Sequence, residues 1–207
     1  MSTEQSTFFD AARLGQADRL RELLENGADP NRKDNDGDTA LTIASCANQT
    51  EIVCLLLANG ADPNSQGTDG RTTLICASRD DSIEIVRLLL TNGADPNSQG
   101  TDGSTALIHA ARWGDTEIVD LLLVHGADPN DRKDDGWTAL NWAVLNGYDA
   151  IVYMLLHAHA EYFNRYSDVP RLVVGDEVVD AMMAEQELVR LREREGKEGS
   201  KRMVRMR

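Results

Sequence analysis

The clearest chemical signal in the sequence is an acidic stretch, Asp34–Asp38, whose alternating carboxylates resemble the start of a calcium-binding loop. The register of this stretch can be tested against the twelve-residue loop that binds calcium in EF-hand proteins. If Gly37 is the turn glycine, the first and last ligand positions fall on Arg32 and Ile43. Neither side chain offers an oxygen to a hard cation. We therefore interpret the stretch as a solvated acidic loop and predict no metal site there.

The other residue types that bind metals or act as nucleophiles are scattered. The sequence contains neither a Cys-x-x-Cys pair nor a His-x-x-x-His pair, which are typical of zinc sites. It also lacks a nucleophile elbow, a phosphate-binding loop and a pair of carboxylates in apolar surroundings. We therefore expect no catalytic residue, no cofactor and no enzymatic activity. The histidines and cysteines concerned are His109, His125, His157, His159, Cys46, Cys54 and Cys76.

Charge is unevenly distributed along the chain, whose net charge is −14. Residues 190–207 contain eight basic and three acidic residues, so they carry +5 and leave −19 on the remainder. An acidic body repels phosphate backbones, which argues against nucleic acid and favours a protein partner with a basic surface. Nothing in the pattern indicates a small-molecule substrate. No apolar run approaches the ~18 residues of a membrane span.

Cysteine usage bears on location. Three cysteines is an odd number, and their spacing does not suggest a disulfide framework. Reduced thiols are typical of cytosolic proteins, so we expect a cytoplasmic location, with the nucleus as the alternative.

Most of the chain follows a repeat of 33 residues, and the residues discussed above occupy positions within this repeat. Gly-Ala-Asp-Pro-Asn begins at Gly27, Gly60, Gly93 and Gly126. Gly-x-Thr-x-Leu-x-x-Ala begins at Gly37, Gly70, Gly103 and Gly136. Ile-Val, followed by a leucine-rich stretch, begins at Ile52, Ile85, Ile118 and Ile151.

Each repeat can be interpreted as two short helices and a loop. The threonine of the second motif is suited to cap a helix, because its hydroxyl can accept a bond from an early backbone N–H. Glycine, asparagine or aspartate follows this helix, at Gly15, Asn48, Asp81, Gly114 and Gly147, where a left-handed residue is needed. The Ile-Val stretch forms the second helix. One such unit cannot bury both apolar faces alone, so the repeats must stack.

These motifs, in this order, resemble the ankyrin repeat over residues 1–165. The resemblance implies an all-α repeat solenoid of helix-turn-helix pairs with projecting β-hairpin loops. Its repeats would span about 1–33, 34–66, 67–99, 100–132 and 133–165, the first divergent and suited to a cap. The chain departs from the family pattern where Ala40, Thr73, Ala106 and Ala139 replace the usual proline after the capping threonine. We predict a helical cap or extension at 166–195 and a basic, disordered tail at 196–207.

The resemblance also implies that the hairpin tips and the ends of the first helices form a concave face that binds a folded protein. We therefore expect a scaffold, adaptor or inhibitor, acting as a monomer. The alternative is a module whose basic tail contacts the acidic body, an anionic membrane or nucleic acid. Exposed tryptophan and arginine dominate binding hot spots, which favours repeats three to five. The predicted contact residues are Arg71, Arg79, Arg112, Trp113, Trp137, Leu145 and Asn146. His109 aligns with positions that pack between repeats, and we expect it to be hydrogen-bonded there.

Overall fold

The computed structural model describes residues 3–68, 70–79, 82–158 and Ala184. Within these residues the chain forms ten α-helices and no β-strand. The first of each helix pair is α1 (Thr3–Leu14), α3 (Ala40–Cys46), α5 (Thr73–Ala77), α7 (Ala106–Trp113) or α9 (Ala139–Asn146). The second is α2 (Ala17–Glu25), α4 (Thr50–Ala58), α6 (Ile83–Thr91), α8 (Thr116–Val124) or α10 (Asp149–His157).

The helices form two layers. Helices α1, α3, α5, α7 and α9 stack on one another as an inner row, and α2, α4, α6, α8 and α10 stack as an outer row. Each inner helix also packs on the outer helix that follows it. The predicted all-α repeat solenoid is confirmed.

The capping threonines begin four of the inner helices, as predicted. The Oγ1 atoms of Thr39, Thr72, Thr105 and Thr138 each accept a hydrogen bond from the backbone N–H three residues later. Left-handed residues follow three of these helices and α1, with φ angles between 53° and 85° at Gly15, Asn48, Gly114 and Gly147. Asn48 is the one residue other than glycine with positive φ among the described residues. Asp81, the remaining residue of this set, lies outside them.

The core lies between the rows and is continuous along the stack. Ile52, Ile85, Ile118 and Ile151 are completely buried, and so are Leu56, Leu89, Leu122 and Leu155 one turn later. Burial of one such side chain stabilises the fold by about 1.5–3 kcal/mol. The repeated isoleucines and leucines of the outer helices are therefore explained by packing.

The loops between repeats are short antiparallel turns. In each loop a backbone N–H bonds to the carbonyl oxygen four residues later, in the pairs Asp34–Asp38, Gly67–Arg71, Gly100–Ser104 and Lys133–Trp137. Among the described residues, antiparallel pairing consists of isolated bridges, Lys33 with Thr39 and Gln66 with Thr72. The predicted hairpin loops are therefore short. A glycine of positive φ closes the turn in each of them, at Gly37, Gly70, Gly103 and Gly136.

Asparagines join neighbouring loops. The amide nitrogen of Asn64 donates to the Gly93 carbonyl oxygen at 3.1 Å, and its Oδ1 accepts from the Asp95 backbone N–H at 2.8 Å. Asn31 and Asn97 make the same pair of bonds to the next repeat. Asn31, Asn64 and Asn97 therefore connect their loops to those of the following repeats.

The ends of the chain differ from the middle. Arg32 in the first loop lies over the rings of Phe8 and Phe9, at 5.2 and 5.4 Å, and so ties α1 to that loop. Residues 159–165, the predicted tail and, apart from Ala184, the predicted cap lie outside the described residues. In the part of the chain that the structure describes, no helix is both long and apolar enough to cross a bilayer.

Candidate binding surface

The side chains at the ends of the inner helices differ from repeat to repeat, although the helices that position them are alike. At the end of each inner helix, or just after it, the equivalent position of the repeat holds Arg13, Cys46, Arg79, Arg112 and Leu145. The next position holds Leu14, Ala47, Asp80, Trp113 and Asn146. Because the inner helices stack on one another, the members of each series within the described residues, which exclude Asp80, lie along one surface. The residue types at these positions change from repeat to repeat, unlike those of the buried core.

A cleft of about 350 Å³ opens on this surface between the third and fourth repeats. We call it the Arg/Trp cleft. Its walls come from the ends of α5 and α7 and from the loops before them. Its lining residues are Arg71, Arg79, Thr101, Asp102, Ser104, His109, Arg112 and Trp113.

Arg112 is held by aromatic rings. Its guanidinium carbon lies 4.6 Å from the ring centroid of Trp142 in the next repeat and 5.6 Å from that of Trp113. Trp142 in turn lies against Trp137, with the ring centroids 4.8 Å apart and the planes inclined at 47°. Trp113 remains 53% exposed. A cation over an aromatic face is attracted by the ring quadrupole, so these contacts fix the position of the charge.

The acid of the cleft, Asp102, is fully engaged. Its Oδ1 accepts bonds from the backbone N–H and the hydroxyl of Ser104, at 3.1 and 2.5 Å. Its Oδ2 lies 2.9 Å from the Nζ of Lys133 in the following loop. The hydrogen bond from Ser104, more than the ammonium of Lys133, holds the pKa of Asp102 well below its usual range. The carboxylate is therefore charged at neutral pH and compensated within the loops.

His109 lies largely inside the cleft wall. Its Nε2 is 3.3 Å from the hydroxyl of Ser104, whereas Nδ1 is buried and has no hydrogen-bond partner among the described residues. The expectation of a hydrogen-bonded histidine between repeats thus holds for one ring nitrogen and is wrong for the other. Burial lowers the pKa of His109 to about 4. The imidazole is neutral at pH 7 and adds no charge to the cleft.

The predicted contact residues fall into two groups. Arg71, Arg79, Arg112 and Trp113 line the cleft together. Trp137, Leu145 and Asn146 do not line it and belong to the fifth repeat. Trp137 is linked to the cleft through Trp142 and Arg112. The Asn146 amide donates to the backbone oxygens of Arg112 and Trp142, which ties α9 to α7.

Sequence reasoning did not select Trp142 as a contact residue. Its partly buried ring contacts Arg112 of the neighbouring inner helix. The sequence contained a signal that could have identified Trp142. The equivalent residues of the three preceding repeats are Ile43, Cys76 and His109, so this position varies between repeats as much as the predicted contact positions do.

The acidic loop and the cysteines do not form part of the Arg/Trp cleft. The Asp34 carboxylate accepts bonds from the backbone N–H groups of Asp36 and Asp38, at 2.9 Å each, and so acts as a turn residue. Among the described residues, no group of three or more His, Cys, Asp or Glu side chains could hold a metal ion. A second cleft, of about 270 Å³, lies near Cys46 and Cys76 in the second and third repeats.

The sequence matches the family described as ankyrin repeats (three copies), over residues 8–100 and 88–166. The chain belongs to the ankyrin repeat family. The matched residues include all of the Arg/Trp cleft. No curated protein matches the chain. Ankyrin repeats are generally protein–protein interaction modules and are typically not enzymes.

Proposed function

We propose that this protein is a scaffold, adaptor or inhibitor that binds a folded partner protein through the inner-helix ends and loop tips of repeats three to five. The observation that carries the proposal is the exposed Trp113 beside the ring-held Arg112. Tryptophan and arginine are the residue types most enriched at hot spots, where truncation of one side chain costs about 2 kcal/mol or more of binding free energy. A stacked array also loses little conformational freedom on binding.

The proposal extends to the partner and the setting. The acidic body favours a partner whose surface is largely basic, since long-range attraction raises the rate of encounter. We further propose that the protein acts as a monomer, without a cofactor and without catalytic activity, in a reducing compartment such as the cytoplasm. Its three cysteines, Cys46, Cys54 and Cys76, are free thiols in the structure, in keeping with that setting.

Affinity capture from the source cell tests this function. The tagged full chain is compared with Trp113→Ala, which removes a half-exposed side chain, and with Tyr153→Ala as a matched control. Tyr153 is 60% exposed on the outer helix α10, on the other row of the stack. We expect the captured protein to be lost with Trp113→Ala and kept with Tyr153→Ala, while both variants retain the wild-type midpoint of thermal unfolding. Equal capture by both variants would contradict the proposal.

A further inference from the structure

The Arg/Trp cleft has a local charge opposite to that of the body that surrounds it. Its described lining contains Arg71, Arg79 and Arg112 against one acid, Asp102. That acid is already satisfied by Ser104 and Lys133. The histidine of the wall is neutral at pH 7. The cleft is thus a small cationic area on a chain whose residues outside the tail carry −19.

The surroundings of Arg112 make it suited to bind a planar anion such as a carboxylate. Its guanidinium carbon lies 5.6 Å from the ring centroid of Trp113 and 4.6 Å from that of Trp142, so aromatic rings hold the charge in place. The N–H donors of a guanidinium point outward in its own plane and match the two oxygens of a carboxylate. No carboxylate among the described residues pairs with Arg112. The inference is based on Arg112 and not on Arg79. Asp80 and Asp81 follow Arg79 in the chain and lie outside the described residues, so the surroundings of Arg79 are described only in part.

We infer that the Arg/Trp cleft binds the carboxylate of an aspartate or glutamate on a partner protein, seated on Arg112 with the rest of that residue against Trp113. The inference rests on the proposed function and names the chemistry of the contact. Because the surrounding body repels a uniformly acidic segment, the acidic residue is flanked by neutral or basic residues. The cleft therefore selects one acid within a basic surface.

The experiment uses the full chain and a phage-displayed library of random 12-residue peptides. We expect the selected peptides to share an aspartate or glutamate at one position, with basic residues nearby. The strongest peptide is then synthesised with that acid and with the corresponding amide. Its affinity is measured by isothermal titration calorimetry against the wild type, Arg112→Met and Trp113→Ala. Arg87→Met is the matched control, since Arg87 is an exposed arginine of outer helix α6.

Replacement of the acid by the amide should weaken binding to the wild type at least tenfold, but should have little further effect on Arg112→Met. Such non-additivity identifies the two groups as partners. Arg87→Met removes the same charge and should change the affinity less than twofold. The inference is overturned if the selected peptides lack a shared acid, if no peptide is selected, or if Arg112→Met and Arg87→Met weaken binding equally. If Trp113→Ala abolishes binding and Arg112→Met does not weaken it, the proposed function stands and only the inferred carboxylate contact is refuted. If neither variant changes the affinity, both the proposed function and the carboxylate contact are refuted.

Discussion

The guanidinium carbon of Arg112 in the fourth repeat lies 4.6 Å from the ring centroid of Trp142 in the fifth. This contact joins two residues that are thirty positions apart in the sequence and lie on adjacent inner helices. It connects the stability of the stack to the surface that we propose for binding. Trp142 also supports Trp137, so one ring positions two of the predicted contact residues.

A double-mutant cycle measures the contact between Arg112 and Trp142. Arg112→Met keeps the aliphatic length and removes the charge, and Trp142→Leu removes the aromatic face. We expect a coupling of about 0.5–1 kcal/mol in the free energy of unfolding, as is typical of a partly exposed cation–π pair. Urea denaturation gives the four values. A cycle of Arg112→Met with Tyr153→Leu on the outer row should give no coupling, and coupling of equal size there would refute the assignment.

Asn64→Ala should destabilise the stack by about 1–2 kcal/mol, because it removes two hydrogen bonds between the second and third repeats. Asn59→Ala is the control, since Asn59 is also exposed but bonds only to the Leu55 carbonyl oxygen within its own repeat. Its cost should be under about 0.5 kcal/mol. Urea denaturation of the full chain measures both. Equal costs would show that the bonds between repeats add nothing beyond local ones.

Proline after the capping threonine should have opposite effects in two repeats. Thr105 has the extended backbone that precedes proline, at φ −109° and ψ 167°, so Ala106→Pro should stabilise the chain by about 0.5–1 kcal/mol. Thr73 cannot be replaced in this way, because its N–H and its hydroxyl both donate to the Ser65 carbonyl oxygen. We expect Thr73→Pro to cost about 2 kcal/mol or more. Thermal unfolding that rises for Thr73→Pro would disprove this distinction.

The left-handed conformation of Asn48, at φ 53°, predicts a gain from glycine. Asn48→Gly should raise the free energy of unfolding by up to about 0.5 kcal/mol, whereas Asn48→Ala should lower it by about 1 kcal/mol. Gly114→Ala provides a comparison at the equivalent turn of the fourth repeat. There a Cβ would come within 2.7 Å of the Tyr148 ring, so the cost should exceed that of Asn48→Ala. The reverse order of the two alanine variants would count against strain at these turns.

His109 should make stability depend on pH. Its pKa is lowered from 6.5 to about 4 by burial and by Lys133, Arg112 and Arg71, against the opposing effect of Asp102. Between pH 6.5 and 4 the unfolded chain therefore binds a proton that the folded chain does not, so stability falls as pH decreases through this range. The loss attributable to His109 is about 2–3 kcal/mol.

Urea denaturation between pH 4 and 8 tests this dependence by comparing the wild type with His109→Gln. The difference in unfolding free energy between the two should shrink or change sign as the pH falls. His125→Gln is the control, since His125 is exposed at the end of outer helix α8. A constant difference between the wild type and His109→Gln would show that the buried imidazole does not titrate in this range.

The helices, the turns and the buried positions could be predicted from the sequence alone. A repeat of 33 residues fixes the helix starts at threonines such as Thr39, the turns at residues such as Asn48, and the buried isoleucines, because each feature depends on local backbone geometry or on helical periodicity. It also selected four residues that share the cleft, since they occupy positions that vary between repeats. These properties are local or periodic, so they can be recognised in a single sequence.

Only the tertiary structure decided how the variable residues meet. The contact of Arg112 with Trp142, the pairing of Asp102 with Lys133 and the bonds of Asn64 to the next loop all join neighbouring repeats. Such contacts depend on the stacking and on side-chain rotamers, which a repeat pattern does not encode. The order of the repeats could be predicted from periodicity, whereas the charge and shape of the Arg/Trp cleft arise from packing between them.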